Sequence, residues 1–217
     1  MFFKKFKHGK NLKILSPCTT FIGEKVILGN NVTIYPNNHV DGNTVIGDNC
    51  VLLGGNHIVG CIIDQNVTLE STHAENCTIE KDCKIGPFAR LRPNTCLGKR
   101  CKIGNFVEIK NSTLQEGCKV GHLAYVGDAD LGKNCNIGCG VIFVNFNGKT
   151  KSRSTVGNYC FLGSNCNIIA PVHIDDDVYI SAGTTVTNDL IKGDFVIGRC
   201  RQEVKPNRAY NYLKEKD

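Results

Sequence analysis

The chain has 217 residues, of which 41% are hydrophobic and 21% charged, and its formal net charge is +6. This composition is typical of a folded soluble protein, and the positive charge is too diffuse for nucleic acid, which needs a dense basic stripe. No apolar run reaches the roughly 20 residues that a membrane-spanning helix requires. We therefore expect no nucleic acid or membrane partner, and the modest positive charge suits a small anionic substrate.

The N-terminal stretch MFFKKFKHGKNLK lacks the long apolar core and the small-residue cleavage site of a signal peptide. Its lysines and phenylalanines are compatible with a weak membrane or polyanion contact. We favour the simpler interpretation, a basic N-terminal segment or cap over residues 1–18.

A six-residue repeat follows and continues almost to the end of the chain. One aliphatic residue recurs in each hexad, and a glycine often comes directly after it, as in Ile85-Gly86 and Ile103-Gly104. A period of six fits no helix, and a fixed short period indicates a solenoid. Each hexad describes a short strand plus a corner, so three hexads form a triangular coil, and coils stack at about 4.8 Å. We predict one all-β domain, a single-stranded parallel β-helix of roughly nine coils over residues 19–201, with a short C-terminal tail at 202–217.

Thirteen cysteines at first indicate disulfides or zinc, but no C-x-x-C motif occurs, and this excludes the zinc-ribbon pattern. Nine of them stand two residues before a repeat aliphatic, where other hexads hold small residues: Cys50, Cys61, Cys77, Cys83, Cys101, Cys118, Cys135, Cys160 and Cys166. We predict buried free thiols that pack as small apolar residues. Free thiols indicate a reducing compartment, so we expect the cytoplasm.

The repeat is modified in two places, and there we expect function. Arg92 and Lys110 replace the glycine of their hexads and stand three hexads apart. The period is interrupted at 145–153, which we predict to be an inserted loop. If this interruption counts as two hexads, six aliphatic residues fall on one edge of the prism: Leu91, Ile109, Val126, Phe143, Leu162 and Ile180.

The residues around that edge suggest an anion-binding catalytic site. His122 has the residue type of a general base at neutral pH, and Glu108 is placed to orient its ring. Arg92, Lys110 and Lys151 would clamp a phosphate. For each residue the plain alternative is a solvated polar surface, and for the other histidines we favour that alternative, with no three-ligand metal site.

The motifs IGPFARLRP, IGNFVEIK, GHLAYVGDAD, NIGCG, VNFNGKTK, FLGSN, IIAPVHI and AGTTVTNDL resemble the acetyltransferase half of bacterial bifunctional N-acetylglucosamine-1-phosphate uridyltransferase/glucosamine-1-phosphate acetyltransferases. The resemblance covers residues 19–201. It implies a left-handed β-helix, acetyl-CoA as co-substrate, no catalytic metal, and a homotrimer with active sites between subunits.

The resemblance also assigns roles to individual residues. His122 would be the base, with Glu108 behind it. The residues that would bind the sugar phosphate are Arg92, Lys110, Tyr125, Asn136, Asn145 and Lys151. Those that would line the acetyl-CoA site are Cys139, Phe146, Ser164, Ala182 and Arg199.

Two departures from the family pattern bear on function. The loop reads NFNG where the family has NYDG, so Phe146 and Asn147 lack a phenol and a carboxylate. The nucleotidyltransferase domain of the family has no counterpart in this sequence, so we expect no uridyl transfer. The expected activity is acetylation of the 2-amino group of glucosamine 1-phosphate. Acetylation of another amino or hydroxyl sugar, or a non-catalytic trimeric partner of a separate nucleotidyltransferase, are the alternatives. A γ-carbonic-anhydrase-like enzyme is disfavoured because its histidine triad is not seen.

Overall fold

The computed structural model describes residues 6–213, so the first five residues of the predicted N-terminal segment and the last four of the predicted tail lie outside the described residues. The described chain forms three parallel sheets of 10, 11 and 10 strands, wound into a solenoid. Apart from the last coil, each strand pairs with the strand three places further along the chain, so one coil contributes one strand to each sheet. This is the predicted left-handed parallel β-helix of hexapeptide repeats.

The strands, in chain order, are β1 Lys7–His8, β2 Lys13–Ile14, β3 Phe21–Ile22, β4 Ile27–Leu28, β5 Thr33–Ile34, β6 His39–Asp41, β7 Val45–Ile46, β8 Val51–Leu52, β9 His57–Val59, β10 Ile62–Ile63, β11 Thr68–Leu69, β12 His73–Glu75, β13 Thr78–Ile79, β14 Lys84–Ile85, β15 Arg90–Leu91, β16 Cys96–Leu97, β17 Lys102–Asn105, β18 Glu108–Lys110, β19 Thr113–Leu114, β20 Lys119–His122, β21 Tyr125–Gly127, β22 Ala129–Leu131, β23 Asn136–Ile137, β24 Ile142–Val144, β25 Ser154–Val156, β26 Phe161–Leu162, β27 Asn167–Ile169, β28 His173–Ile174, β29 Tyr179–Ile180, β30 Thr185–Val186 and β31 Phe195–Val196. The first sheet runs from β1 to β28, the second from β2 to β31, and the third from β3 to β30. Two short 3₁₀ helices lie at Pro17–Thr19 and Arg208–Asn211. Within residues 6–213 no helix has the length and apolarity to cross a membrane.

The repeat begins earlier than the aliphatic pattern indicated. Strands β1 and β2 fall within the predicted segment 1–18, and they pair in parallel with β4 and β5. The N-terminal segment therefore supplies two strands of the first coil. The hexad pattern did not reveal β1, because Lys7–His8 contains no aliphatic residue.

The core is built from the repeat aliphatic residues, which stack on one another along the solenoid axis. In the second sheet, for example, Ile85 pairs with Ile103, which pairs with Val120, and all three are buried. Side chains alternate across a strand, so a strand of two residues points one side chain into the core and one into solvent. Burial of the aliphatic column is therefore the main apolar contribution to stability.

The corners use residues that tolerate a left-handed backbone. Asn31, Asn49, Asn66 and Asp82 form one corner column, with φ values of 57°, 59°, 59° and 64°. Asparagine and aspartate adopt this conformation more readily than other non-glycine residues. Their side chains also bond along the column, with Asn31 donating to Asn49 at 3.0 Å and Asn49 to Asn66 at 3.2 Å.

All thirteen cysteines are free, and the nine predicted to be buried are buried. Five thiols directly before strands of the second sheet form a column, and each donates to a backbone carbonyl of the next coil: Cys83, Cys101, Cys118, Cys135 and Cys160. The pKa of Cys118 is raised to about 12, mainly by its hydrogen bond with Cys101, with burial adding to the effect. These thiols therefore act as hydrogen-bond donors as well as small apolar residues.

The inserted segment 145–153 counts as one hexad, and our count of two was wrong. Phe143 in β24 pairs with Ile168 in β27, and the next strand, β25, belongs to the first sheet. Leu162 and Ile180 consequently lie in the second sheet, away from Leu91. The segment turns only one corner because it folds back on itself. Its end is bonded to its beginning, with the Ser152 N–H donating to the Asn145 carbonyl at 2.8 Å.

Candidate functional site

Asp128 is the centre of a polar cluster at the corner that follows the third sheet. Its carboxylate accepts hydrogen bonds from Asn111 Nδ2 at 2.6 Å and from Asn145 Nδ2, and it lies 3.5 Å from Lys110 Nζ. Asp128 and Asn145 are both buried. Burial acts to raise the pKa of Asp128, but the bonds from Asn111 and Asn145 and the charge of Lys110 outweigh it, so the pKa is lowered. Asp128 is therefore ionised at neutral pH and fixes the position of Lys110.

Arg92 and Glu108 form the second polar contact of this surface. Arg92 follows β15 and Glu108 begins β18, the next strand of the third sheet. Arg92 Nη1 lies 2.8 Å from Glu108 Oε1, and both side chains are about one-third exposed. The pair holds the guanidinium on the outer face of the sheet, one coil from Lys110. The carboxylate of Glu108 therefore contacts Arg92, and its predicted role in orienting His122 stays a prediction.

Tyr125 lies across Gly127, two residues further along β21. A Cβ at Gly127 would overlap the Tyr125 ring, so only glycine leaves room for the ring in this position. Tyr125 Oη accepts a hydrogen bond of 3.4 Å from Asn145 Nδ2. The phenol is thereby held beside the polar cluster of Asp128.

Lys151 carries the unpaired positive charge of the cluster. It is exposed, and in the described part of the chain it makes no ion pair. Its pKa is lowered, chiefly by the neighbouring Lys110 and further by Arg92, while Asp128 acts in the opposite direction. Three cations thus surround a small area of surface, an arrangement that favours an anionic ligand. We call Arg92, Lys110, Tyr125, Asp128, Asn145 and Lys151 the cationic cluster.

The inserted loop is a small hairpin. Phe146 and Lys151 face each other in an antiparallel bridge. The Asn147 side chain accepts hydrogen bonds from the backbone N–H groups of Lys149 at 2.9 Å and Thr150 at 2.8 Å. Asn147 therefore closes the turn, while Phe146 is half exposed.

Arg153 anchors the far end of the loop. Its guanidinium forms an ion pair with Asp130, and its Nη1 donates to the Asn111 carbonyl at 2.8 Å. The hydrogen bond to Asp130 is the main reason why the pKa of Arg153 is raised. Asn145 and Arg153 thus tie both ends of the loop to the corner that carries Asp128.

His122 lies at a different corner, between the second and third sheets. It ends β20, pairs with Asn105 of the preceding coil, and is exposed. It lines a groove of about 570 Å³ on the second sheet. Other predicted residues share this groove, namely Asn136, Cys139 and Ser164. We call these four residues the histidine groove.

The floor of the groove carries a column of lysines. Lys84 pairs with Lys102, and Lys102 with Lys119; all three line the groove. Asn136 follows in register, and beyond it the rings of Phe161, Tyr179 and Phe195 stack with centroids 4.7 and 5.1 Å apart. One face thus offers positive charge and flat apolar rings in sequence along the solenoid.

Ala182 and Arg199 lie further along the solenoid. Arg199 Nη1 donates to the Ala182 carbonyl at 2.9 Å and also contacts Ser181 Oγ. Ser164 and Ala182, which follow Leu162 and Ile180, therefore stand beside the second sheet and not beside Arg92, as the count of two hexads had placed them.

The structure thus sorts the predicted residues into two groups on neighbouring corners. Sequence reasoning missed four residues that hold the cationic cluster together: Asn111, Asp128, Asp130 and Arg153. The sequence does contain one indication that Asp128 is special. The same corner position is asparagine in the three preceding coils, at Asn76, Asn94 and Asn111, and all four residues have a positive φ.

Comparison with known protein families gives two matches. A family described as the GMPPB C-terminal domain matches residues 73–150, and a family described as bacterial transferase hexapeptide (six repeats) matches residues 153–188. The second match covers the most regular part of the repeat.

Among curated proteins, the bifunctional protein GlmU of Clostridium beijerinckii is 43% identical over 87% of this chain and 42% of its own length. GlmU of Thermotoga petrophila is 43% identical over 93% of this chain and 45% of its own length. The chain therefore spans less than half the length of these relatives. Among solved structures, PerB from Caulobacter crescentus, in complex with CoA and GDP-perosamine, is 27% identical over 51% of each chain, with a TM-score of 0.46.

Proposed function

Because the chain belongs to the hexapeptide-repeat proteins and is homologous to the bifunctional GlmU proteins over most of its length, we propose that it is an acetyl-CoA-dependent N-acetyltransferase for glucosamine 1-phosphate. The observation that carries this proposal is the position of His122. It stands at the corner between the histidine groove and the sheet that carries the cationic cluster. A base there can serve an acceptor on one face and a donor on the other.

The cationic cluster is suited to the phosphate of the acceptor. Arg92 provides a planar guanidinium that can bind two phosphate oxygens, and Lys110 and Lys151 provide point charges. Asp128 and Glu108 hold two of these cations in place before the ligand binds. Such preorganisation lowers the entropic cost of positioning the amine.

The reaction needs a neutral amine. The 2-amino nitrogen attacks the thioester carbonyl, the N–C bond forms, His122 accepts the proton from nitrogen, and the C–S bond breaks to release the CoA thiolate, which is then protonated. In the described residues the imidazole of His122 has no hydrogen-bond partner, so the ring is available to substrate. A well-placed base contributes on the order of 10²- to 10⁴-fold to the rate.

The histidine groove is suited to the donor. Acetyl-CoA carries phosphates and an adenine ring, and the groove offers Lys84, Lys102 and Lys119 beside the exposed aromatic column. Asn136, which the family resemblance assigns to the sugar phosphate, lies between Lys119 and Phe161 in the register of the second sheet. Cys139 and Ser164 line the same groove, so we assign the thioester end of the donor to this part of it.

We further propose that the site is completed by a second copy of the chain in a homotrimer. The two faces meet at a convex corner, so one chain alone cannot enclose a ligand that bridges them. The same corner exposes Phe88, Phe106 and Leu123, each more than half accessible, with the two phenylalanine rings stacked. An apolar ridge of this kind is typical of a surface that another subunit covers.

A CoA-release assay tests the proposal. His122→Ala is expected to lower kcat by at least 100-fold with glucosamine 1-phosphate, while His8→Ala, at an exposed histidine far from the site, leaves it unchanged. Retention of near-full activity by His122→Ala would contradict the assignment.

A panel of acceptors tests the substrate. Glucosamine 1-phosphate is expected to exceed glucosamine and nucleotide-linked amino sugars in kcat/KM. Glucosamine carries no phosphate for the three cations, and a nucleotide-linked sugar carries a bulkier diphosphate without a terminal dianionic phosphate. The exposed Phe146, which offers no hydroxyl, makes a different amino sugar the specific alternative, and a reversed order in the panel would support it. No uridyl transfer is expected in the same assays.

A further inference from the structure

The first coils of the third sheet carry an in-register column of rings on their outer face. Phe21 pairs with His39, His39 with His57, and His57 with His73. Successive ring centroids are 4.7, 4.7 and 4.6 Å apart. The rings of Phe21 and His39, and those of His39 and His57, are nearly parallel, with interplanar angles of 16° and 13°. The spacing between neighbouring strands is sufficient to explain these two stacked contacts.

The last contact of the column is different. The rings of His57 and His73 are inclined at 33°, and His73 Nε2 lies 3.0 Å from Glu75 Oε1. Glu75 is two residues from His73 on β12, so both side chains project from the same face. One ligand atom from each of His57, His73 and Glu75 lies within 4.8 Å of the others, and all three residues are partly exposed.

We propose that His57, His73 and Glu75 form a binding site for a divalent transition-metal cation of the zinc class. Imidazole nitrogen and carboxylate oxygen are the ligands that such cations select, at about 2.0–2.2 Å. The ligand atoms must approach one another by about 1 Å to reach that geometry, which a change of side-chain torsion at the exposed surface provides. Two histidines and one carboxylate leave a coordination position for water. This inference does not rest on the proposed acetyltransferase activity.

Neighbouring contacts fix the side chains of the site. The ring of His57 packs between those of His39 and His73, and His73 Nε2 lies 3.0 Å from Glu75 Oε1. Two further charges act on the group: Asp41 favours a bound cation, and Arg90, which pairs with His73 one coil further on, opposes it.

Our expectation of no three-ligand metal site among these histidines was wrong as to geometry. His57 and His73 are 16 positions apart in the sequence and show no ligand spacing. Only the coil length brings them together: β9 and β12 are neighbours in the third sheet, with His57 opposite His73. A coil one residue longer would shift that pairing and place the two rings on opposite faces.

Calorimetric titration of the full chain with ZnCl₂ tests the site. All proteins carry Cys18→Ser, Cys96→Ser and Cys200→Ser, which remove the exposed thiols. The parent protein is expected to bind one zinc ion per chain. Both His73→Gln and Glu75→Gln are expected to weaken binding by at least 10-fold, whereas His173→Gln, at an exposed histidine with a Thr155 partner, leaves it unchanged.

Thermal unfolding of the same proteins distinguishes loss of the metal site from loss of the fold. Without metal, the variants are expected to unfold at the temperature of the parent, and with zinc only the parent and His173→Gln shift upward. Equal zinc affinity in the parent and in His73→Gln would overturn the proposal, as would the absence of any zinc binding by a folded parent.

Discussion

Asn145 donates a hydrogen bond from its side chain to the Asp128 carboxylate, which joins the first residue of the inserted loop to the corner of the preceding coil. The same carboxylate faces Lys110 and accepts from Asn111. One buried aspartate therefore positions both the loop and a cation of the cationic cluster. This arrangement makes Asp128 the residue on which the geometry of the cationic cluster depends.

Asp128→Asn is expected to lower the free energy of unfolding by about 1–3 kcal/mol. Asn111 and Asn145 donate to different oxygens of the Asp128 carboxylate, and an amide places an NH₂ group at one of those two positions. The folded-state pKa of Asp128 lies below its unfolded value of about 3.9, so its contribution is present above that pH and is lost as the pH falls through the folded pKa. Urea unfolding between pH 3 and pH 7 measures this. The variant should show a smaller loss of stability on acidification than the parent, and an identical loss would contradict the role of Asp128.

The lowered pKa of Lys151 predicts that anion binding weakens at a lower alkaline pH than an ordinary lysine would give. Affinity for the sugar phosphate is expected to fall as the pH rises through that pKa, which lies below the ordinary lysine value of 10.5. Lys110→Met removes the main repulsion and should move the limit to higher pH. Calorimetric affinities measured across the alkaline range detect the shift, with Lys149→Met, a neighbouring loop lysine, as the control that leaves the limit in place.

Gly104 and Gly121 occupy equivalent positions on adjacent coils but differ in the space around them. A Cβ at Gly104 would lie 1.9 Å from the Gly121 carbonyl oxygen, whereas a Cβ at Gly121 would meet nothing within 4 Å. Gly104→Ala is therefore expected to cost about 1–3 kcal/mol through a forced backbone shift, and Gly121→Ala to be nearly neutral. Denaturant unfolding of the two variants compares them directly, and equal stabilities would refute the steric argument.

Arg153→Met should loosen the inserted loop. The ion pair with Asp130 is about 40% exposed, so the stability loss is expected to be only about 0.5–1 kcal/mol. Hydrogen exchange of residues 145–152 should nevertheless become faster, because the bond to the Asn111 carbonyl is also lost. Lys192→Met breaks a more exposed pair with Asp177 and serves as the control, with no change expected in the loop.

The column of Lys84, Lys102 and Lys119 predicts that lysine substitutions there affect KM for only one of the two proposed substrates. Lys102→Gln and Lys119→Gln are each expected to raise KM for acetyl-CoA by about 2–5-fold, the effect of one partly screened charge, without changing KM for the sugar phosphate. Lys84 lies one coil further from His122 and should show a smaller effect when changed to Gln. A change confined to the acceptor KM would place the donor elsewhere.

The sequence was sufficient to predict the coils and the core, because the aliphatic column follows a fixed period and each hexad has one inward position. It predicted the register correctly up to Phe143. Beyond that point counting failed, since the length of an insertion does not tell whether it turns one corner or two. Hydrogen bonds such as Ser152 to Asn145 decide this, and they depend on the folded loop.

The candidate site was predictable to the extent that its residues depart from the repeat. Arg92, Lys110 and the inserted loop were found because they break a pattern. Asp128 conforms to the corner pattern, where asparagine and aspartate are both common, so its role became visible only with its three partners. The group of His57, His73 and Glu75 was overlooked for a similar reason, because outward positions of the hexad tolerate any residue.

The strand pairing, in which each coil bonds only to the coil before and the coil after it, makes the chain a one-dimensional array of cooperative units. Opening should therefore start at the two ends and move inward, so amide exchange is expected to slow progressively from β1 and from β31 towards the middle coils. His122 ends β20 and the inserted loop lies between β24 and β25, so more than six coils precede them and about two follow the loop. The cationic cluster and the histidine groove are therefore shielded from fraying more strongly on the N-terminal side than on the C-terminal side.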